Sequence, residues 1–144
     1  MNFIKDDGTD RAMEVAEGRD DNSRNIKMNK FNKDALHQQW DIIYADEYPD
    51  DPKKGEFNEK YGLYVERPFH IVSELKGNRY LDLRSNRYMV TNSKSRSVDQ
   101  IWYFDQKSLT IRSKNANEQV FAIERSGTTN NMETGRLLDA QIWH

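Results

Sequence analysis

The side chains best suited to acid–base or metal chemistry near neutral pH are three histidines, His37, His70 and His144. Their spacing is not that of a metal-ligand set, and no His-Glu-x-x-His occurs. No nucleophile stands where the sequence supplies it with a base and an orienting acid. The chain has no cysteine, which excludes disulfides and thiolate metal sites. Asp6-Asp7-Gly8-Thr9-Asp10 has the composition of a calcium loop but lacks the twelve-residue order and its terminal glutamate, and Asp-Gly predicts a hairpin turn instead. There is no Gly-x-Ser-x-Gly and no phosphate-cradling glycine loop. Arg84, Arg87, Lys94 and Arg96 make a small basic cluster. With 22 basic and 24 acidic residues and a net charge of −2, it reads as a solvated face, not a nucleic-acid surface. Asp20 and Asp21 sit in a polar stretch where short acids bond nearby backbone N–H groups. The expectation is a non-enzyme with no metal and no cofactor.

The elements that position these residues follow from a repeat. Gln-x-Trp occurs as Gln38-Gln39-Trp40, Gln100-Ile101-Trp102 and Gln141-Ile142-Trp143, and these hold the chain's 3 tryptophans. A short segment of alternating apolar residues precedes each: Ala12-Met13-Glu14-Val15, Tyr80-Leu81-Asp82-Leu83 and Val120-Phe121-Ala122-Ile123. Period-two alternation predicts strands. Further strands are predicted at Asn2-Phe3-Ile4, Phe69-His70-Ile71-Val72 and Ser108-Leu109-Thr110-Ile111, and at Asn25-Ile26-Lys27-Met28 and Tyr88-Met89-Val90. Asn131 to Leu138 reads as a poor strand. On a strand, Gln and Trp of each triplet share a face, so Trp40, Trp102 and Trp143 are expected in the core and each Gln is expected to satisfy backbone groups left open by turns. Glu47 to Gly62, with its prolines, glycines and charges, reads as an inserted surface loop. A polar chain (mean hydropathy −1.03) that still carries 16 aromatics predicts a small aromatic core under a charged surface.

Three such units, each with a Leu-Asp-Val-like strand, a polar turn and a closing Gln-x-Trp, resemble the ricin B-type β-trefoil lectins. The resemblance implies an all-β trefoil with pseudo-threefold symmetry, a six-stranded barrel capped by three hairpins. On it, residues 1–144 form one domain with units at about 1–46, 63–107 and 108–144 and the insertion at 47–62. It also implies a shallow sugar site per unit: an acid in the turn after the second strand, a ring near the end of the third, and a Gln that supports the acid. In the first unit this places a candidate glycan site at Asp20, Asp21, Asn29, His37 and Gln38. Asn29 stands where the family has an aromatic, and His37 where it has Asn. Arg84-Ser85-Asn86 and Arg125-Ser126-Gly127 carry no acid, so the other two sites read as lost.

The expected function is therefore non-catalytic: a structural or protein-interaction subunit of a larger assembly with degenerate sugar sites. Tyr48, Phe57 and Tyr61 of the insertion are the candidate partner anchors. The alternative is a lectin with one weak glycan site in the first unit. No apolar run is long enough to span a membrane. Met1 to Asp7 lacks the layout of a signal peptide. An intracellular, cytoplasmic setting is expected. The chain stops one residue after Trp143, which predicts a C-terminal edge that leans on a loop, a partner or further sequence.

Overall fold

The computed structural model describes residues 2–5, 10–45, 56–85 and 88–115, and the backbone of 120–123 and 132–135. Twelve strands are described. The first unit holds β1 (Arg11–Val15), β2 (Arg24–Lys30) and β3 (Trp40–Tyr44), preceded by isolated bridges at Asn2 and Lys5. Next come the two-residue strands β4 (Phe57–Asn58) and β5 (Leu63–Tyr64). The second unit holds β6 (Phe69–Ser73), β7 (Tyr80–Arg84), β8 (Tyr88–Asn92) and β9 (Trp102–Asp105). The third contributes β10 (Thr110–Ser113), β11 (Val120–Ile123) and β12 (Met132–Gly135). Within the segment read as a poor strand, Met132–Gly135 does form one, since β12 pairs along its length with β11, Ile123 facing Met132 and Val120 facing Gly135.

The second and third strands of each unit form a hairpin: β1–β2, β7–β8 and β11–β12. The hairpins meet one another through β2–β8 and β8–β12. Of the remaining strands, β3, β6, β9 and β10 pair side by side as β3–β6, β6–β9 and β9–β10, with Asn2 bridged to Trp40, while β4 and β5 pair with each other. Barrel staves and capping hairpins therefore alternate along the chain, the arrangement that the repeat demands.

Trp40 and Trp102 are fully buried among Met13, Ile26, Met28, Phe69, Ile71, Leu81, Met89 and Phe104. Each indole N–H has an equivalent partner: Trp40 Nε1 donates to the Met13 carbonyl at 3.1 Å and Trp102 Nε1 to the Leu81 carbonyl at 3.2 Å. The ring area is removed from water with its one polar atom satisfied, so its burial is not offset by an orphaned donor. Trp143 lies outside the described residues.

One geometric expectation is corrected. Gln38 and Gln100 do not lie on the strand with their tryptophans. Each ends a 3-10 turn, Leu36–Gln38 and Val98–Gln100, two residues before β3 and β9 begin. The turn tips the carboxamide towards the hairpin, where it meets loop backbone and a carboxylate. The described end of the insertion, residues 56–62, contributes to a small hairpin: Phe57 pairs with Tyr64 and Asn58 with Leu63. Val65 then bridges to Phe104, and the Tyr61 ring lies 5.1 Å from that of Phe104.

Candidate functional site

The strand β1 runs Arg-Ala-Met-Glu-Val. Met13 and Val15 enter the core, so Glu14 should face water by alternation. It is instead only 2% exposed, because the Leu36–Gln38 turn folds over that face. A buried carboxylate needs donors, and this one has them. Gln38 Nε2 donates to Glu14 Oε1 at 3.0 Å, and His37 Nε2 lies 3.4 Å from the same oxygen. Asn29 Nδ2 donates to Oε2 at 3.3 Å. Gln38 is itself fixed: its Nε2 also donates to the Lys30 carbonyl at 2.8 Å and its Oε1 accepts from Asn32 N at 2.9 Å.

These groups line an open pocket of about 430 Å³, with Glu14, Asn29, His37 and Gln38 on its polar side and Phe31 among its walls. Phe31 packs edge-on against Phe3 at 4.9 Å, and the Lys5 ammonium lies 4.2 Å from its ring centre. Gly18 lets the turn after β1 pass close to His37. Its φ is +65°, and a Cβ there would sit 3.5 Å from the imidazole. Chemically the pocket offers a fixed anionic acceptor, an amide, an imidazole and an aromatic wall. That set suits a neutral polyhydroxylated ligand better than an anion.

Of the five residues predicted for this site, Asn29, His37 and Gln38 converge. Asp20 and Asp21 do not line the pocket. Asp20 accepts from Gly77 N at 2.6 Å and from Arg79 Nη1, tying the first unit to the turn before β7. A Cβ on Gly77 would fall 2.6 Å from Asp20 Oδ1, so the tie depends on that glycine. Asp21 pairs with Arg24 at 3.0 Å and faces Arg19. The acid that Gln38 supports is Glu14, in the strand and not in the turn after it. The signal for it was present, since Glu14 and Asp82 hold the same place in Ala-Met-Glu-Val and Tyr-Leu-Asp-Leu.

Asp82 is in fact held the same way. Gln100 Nε2 donates to Asp82 Oδ2 at 3.0 Å and to the Ser93 carbonyl at 2.9 Å, while its Oε1 accepts from Ser95 N at 2.9 Å. Asn92 Nδ2 donates to that same Oδ2 at 3.0 Å. The candidate partner anchors divide. Phe57 is 47% exposed, Tyr61 is half-buried on the core, and Tyr48 lies outside the described residues. Among the described residues no three His, Asp or Glu side chains gather as a metal site, and no helix is long and apolar enough to cross a membrane.

No protein-family model matches the chain, and no curated protein matches it by sequence. Solved structures do match in shape. A designed threefold-symmetric protein, ThreeFoil, superposes with a TM-score of 0.67 at 14% identity, over 98% of this chain and 94% of that one. A Polyporus squamosus lectin, solved with a sialylated influenza-binding epitope, gives 0.69 at 14% identity over 99% of this chain and 46% of its own. The C-terminal half of an earthworm R-type lectin, solved with GalNAc, gives 0.59 at 12% identity over 98% and 95%. At such identities the likeness is one of fold: the chain is a β-trefoil whose structural neighbours include carbohydrate-binding R-type lectins.

Proposed function

We propose that this chain is a non-catalytic, ricin B-type trefoil that binds sugar at one site, in its first unit. Glu14 is the central acceptor, Asn29 and His37 flank it, Gln38 holds it, and Phe31 supplies an apolar wall. The observation that carries this reading is the buried Glu14 carboxylate at the base of an open pocket. A carboxylate offers about four lone-pair sites, so beside its three protein donors it keeps capacity for a ligand hydroxyl. The wall of Phe31 can meet the C–H face of a pyranose. A glycan array followed by calorimetry on the best hit tests the reading. Binding that Glu14→Ala abolishes, and that Asp20→Ala with Asp21→Ala leaves in place, is the expected result. Silence across the array, or a hit indifferent to Glu14→Ala, defeats it.

A second reading, a protein-interaction subunit of a cytoplasmic assembly, is favoured by Phe57, a phenylalanine 47% exposed on a two-stranded hairpin. Neither reading involves nucleic acid, given the balanced charge. Affinity capture with mass spectrometry tests the second: a stoichiometric partner lost on Phe57→Ala supports it, and no partner at native levels defeats it.

A further inference from the structure

We propose that Arg67, held between Tyr44 and Tyr64, with Phe57 packed on Tyr64, takes the side-chain carboxylate of an acidic peptide segment from a protein partner. The proposal rests on the protein-partner reading and gives it a chemistry.

The guanidinium is fixed by rings. Its Cζ lies 4.9 Å from the centre of Tyr44 and 4.8 Å from that of Tyr64. Those two rings are 5.4 Å apart at 84°, so Arg67 occupies the corner between them. The corner is rigid. Tyr64 N donates to the Tyr44 hydroxyl at 3.0 Å, joining β5 to β3. Phe69 supports Tyr44 from the core at 5.7 Å, and Phe57 supports Tyr64 from outside at 5.0 Å. Burial raises the Tyr44 hydroxyl above its usual range against the opposing effects of the Tyr64 N–H and of Arg67, so Tyr44 stays neutral and cannot serve as the arginine's counter-ion.

Among the described residues the corner holds no anion. Arg19, Arg24, Arg79 and Arg112 each reach a carboxylate. Among the described residues Arg67 meets rings only, and its Nε is buried without a hydrogen-bond partner. A guanidinium has five donors in one plane, and stacking on ring faces leaves that plane free. A half-buried cation without a counter-charge is costly, and a planar carboxylate meeting the fork edge-on removes that cost. Packed on Tyr64, the half-exposed Phe57 ring offers an apolar contact, next to a pocket of about 130 Å³ lined by Glu56, Asn58, Val65 and Gln106. An acidic residue adjoining an apolar one fits this surface.

The test uses the full chain, ¹⁵N-labelled, and the peptide Ac-Gly-Glu-Leu-Glu-Gly-NH₂ as probe. Its glutamine counterpart and sodium glucuronate are controls. The expected result is a saturable shift of the Arg67 Nε–Hε resonance and of the Phe57 and Tyr64 amides with the glutamate peptide. Affinity should fall at least about fivefold for the glutamine peptide and for Arg67→Lys, which keeps the charge but loses the fork. Phe57→Ala, which removes the exposed apolar contact and the outer support of Tyr64, should weaken binding with the Phe69 and Ile71 amides unmoved. No shift at millimolar peptide, equal shifts with the glutamine peptide, or saturation by glucuronate alone would each overturn the proposal. If a captured partner persists on the Arg67→Lys variant, the protein-partner reading survives and this surface does not.

Discussion

The first and second units carry the same internal frame and different outer residues. In both, an indole N–H reaches the carbonyl before the strand acid, and a Gln carboxamide clasps that acid and two backbone groups at or after the end of the hairpin's second strand. Outside the frame they part. Glu14 is met on both oxygens by separate donors, beside Phe31 and an open pocket. Asp82 is one methylene shorter and takes Asn92 and Gln100 on one oxygen. Asn92 is also bound by Ser23 N of the first unit at 2.9 Å. Asp99, where the first unit has His37, accepts from Asn115, and Lys94 stands where the first unit has Phe31. The Gln–acid clasp is therefore part of the shared frame, present with either set of outer residues. On the proposed reading, recognition depends on the residues around the clasp.

The frame should be equally important in both units. Trp40→Ala and Trp102→Ala are each expected to cost about 3–5 kcal/mol, the usual range for removing a large buried ring. Urea midpoints for the two variants should fall together. A loss confined to one unit would show that the units do not share their core in the way the matching indole bonds indicate. Next in size come Gln38→Ala and Gln100→Ala. Each strips donors or acceptors from one strand carboxylate and two part-buried backbone groups, and about 1–3 kcal/mol is expected from either.

The pocket should separate the units. Glu14→Ala is expected to reduce affinity for the best array hit at least about tenfold, or about 1.4 kcal/mol. Asp82→Ala should leave it within about twofold. Calorimetry on both variants gives the answer, and a larger effect from Asp82→Ala would move the site to the second unit.

The frame was legible in sequence because each strand announces itself twice, by alternation and by its distance from a Gln-x-Trp. Val120 to Ile123 and Tyr80 to Leu83 could be placed from apolar spacing alone. β12 could not: Met132-Glu133-Thr134-Gly135 has little alternation, and it is a strand because β11 presents an edge to it. The candidate site was legible by halves. Gln38 is part of the repeated triplet, His37 directly precedes it, and Asn29 directly follows the predicted strand Asn25 to Met28. Glu14 was hidden because an acid on the outer face of a strand looks like a solvent-facing residue. Only the turn at Leu36–Gln38, distant in sequence, buries it. Asp20 drew attention as a turn acid, but its partners Gly77 and Arg79 lie 57 and 59 residues away.

The smallest expected effect concerns acid, and it again sets two regions against each other. At the end of β9 in the second unit, burial pushes the Asp105 carboxyl up, but bonds from Ser108 Oγ and N and the Arg112 guanidinium, 3.2 Å away, together outweigh it. The result lies below the ordinary value of 3.8. A carboxylate depressed in the folded state stabilises it above the ordinary value, and that stability is lost as pH falls through the lower folded one. Where β3 of the first unit meets β6, Glu74 behaves oppositely. A hydrogen bond with Asp41, then burial, then the Asp41 charge raise it above 4.5. Its contribution is present below the ordinary value and is lost as pH rises through the raised one. Asp105→Asn should cost about 1 kcal/mol near neutrality and flatten the acid limb of a midpoint-against-pH curve. Glu74→Gln should leave neutrality almost unchanged or slightly improved and steepen the acid limb. Denaturation midpoints from roughly pH 3 to 7 resolve both signs. An Asp105→Asn curve parallel to that of the parent chain would mean that the second unit has no acid-labile tie at this hairpin.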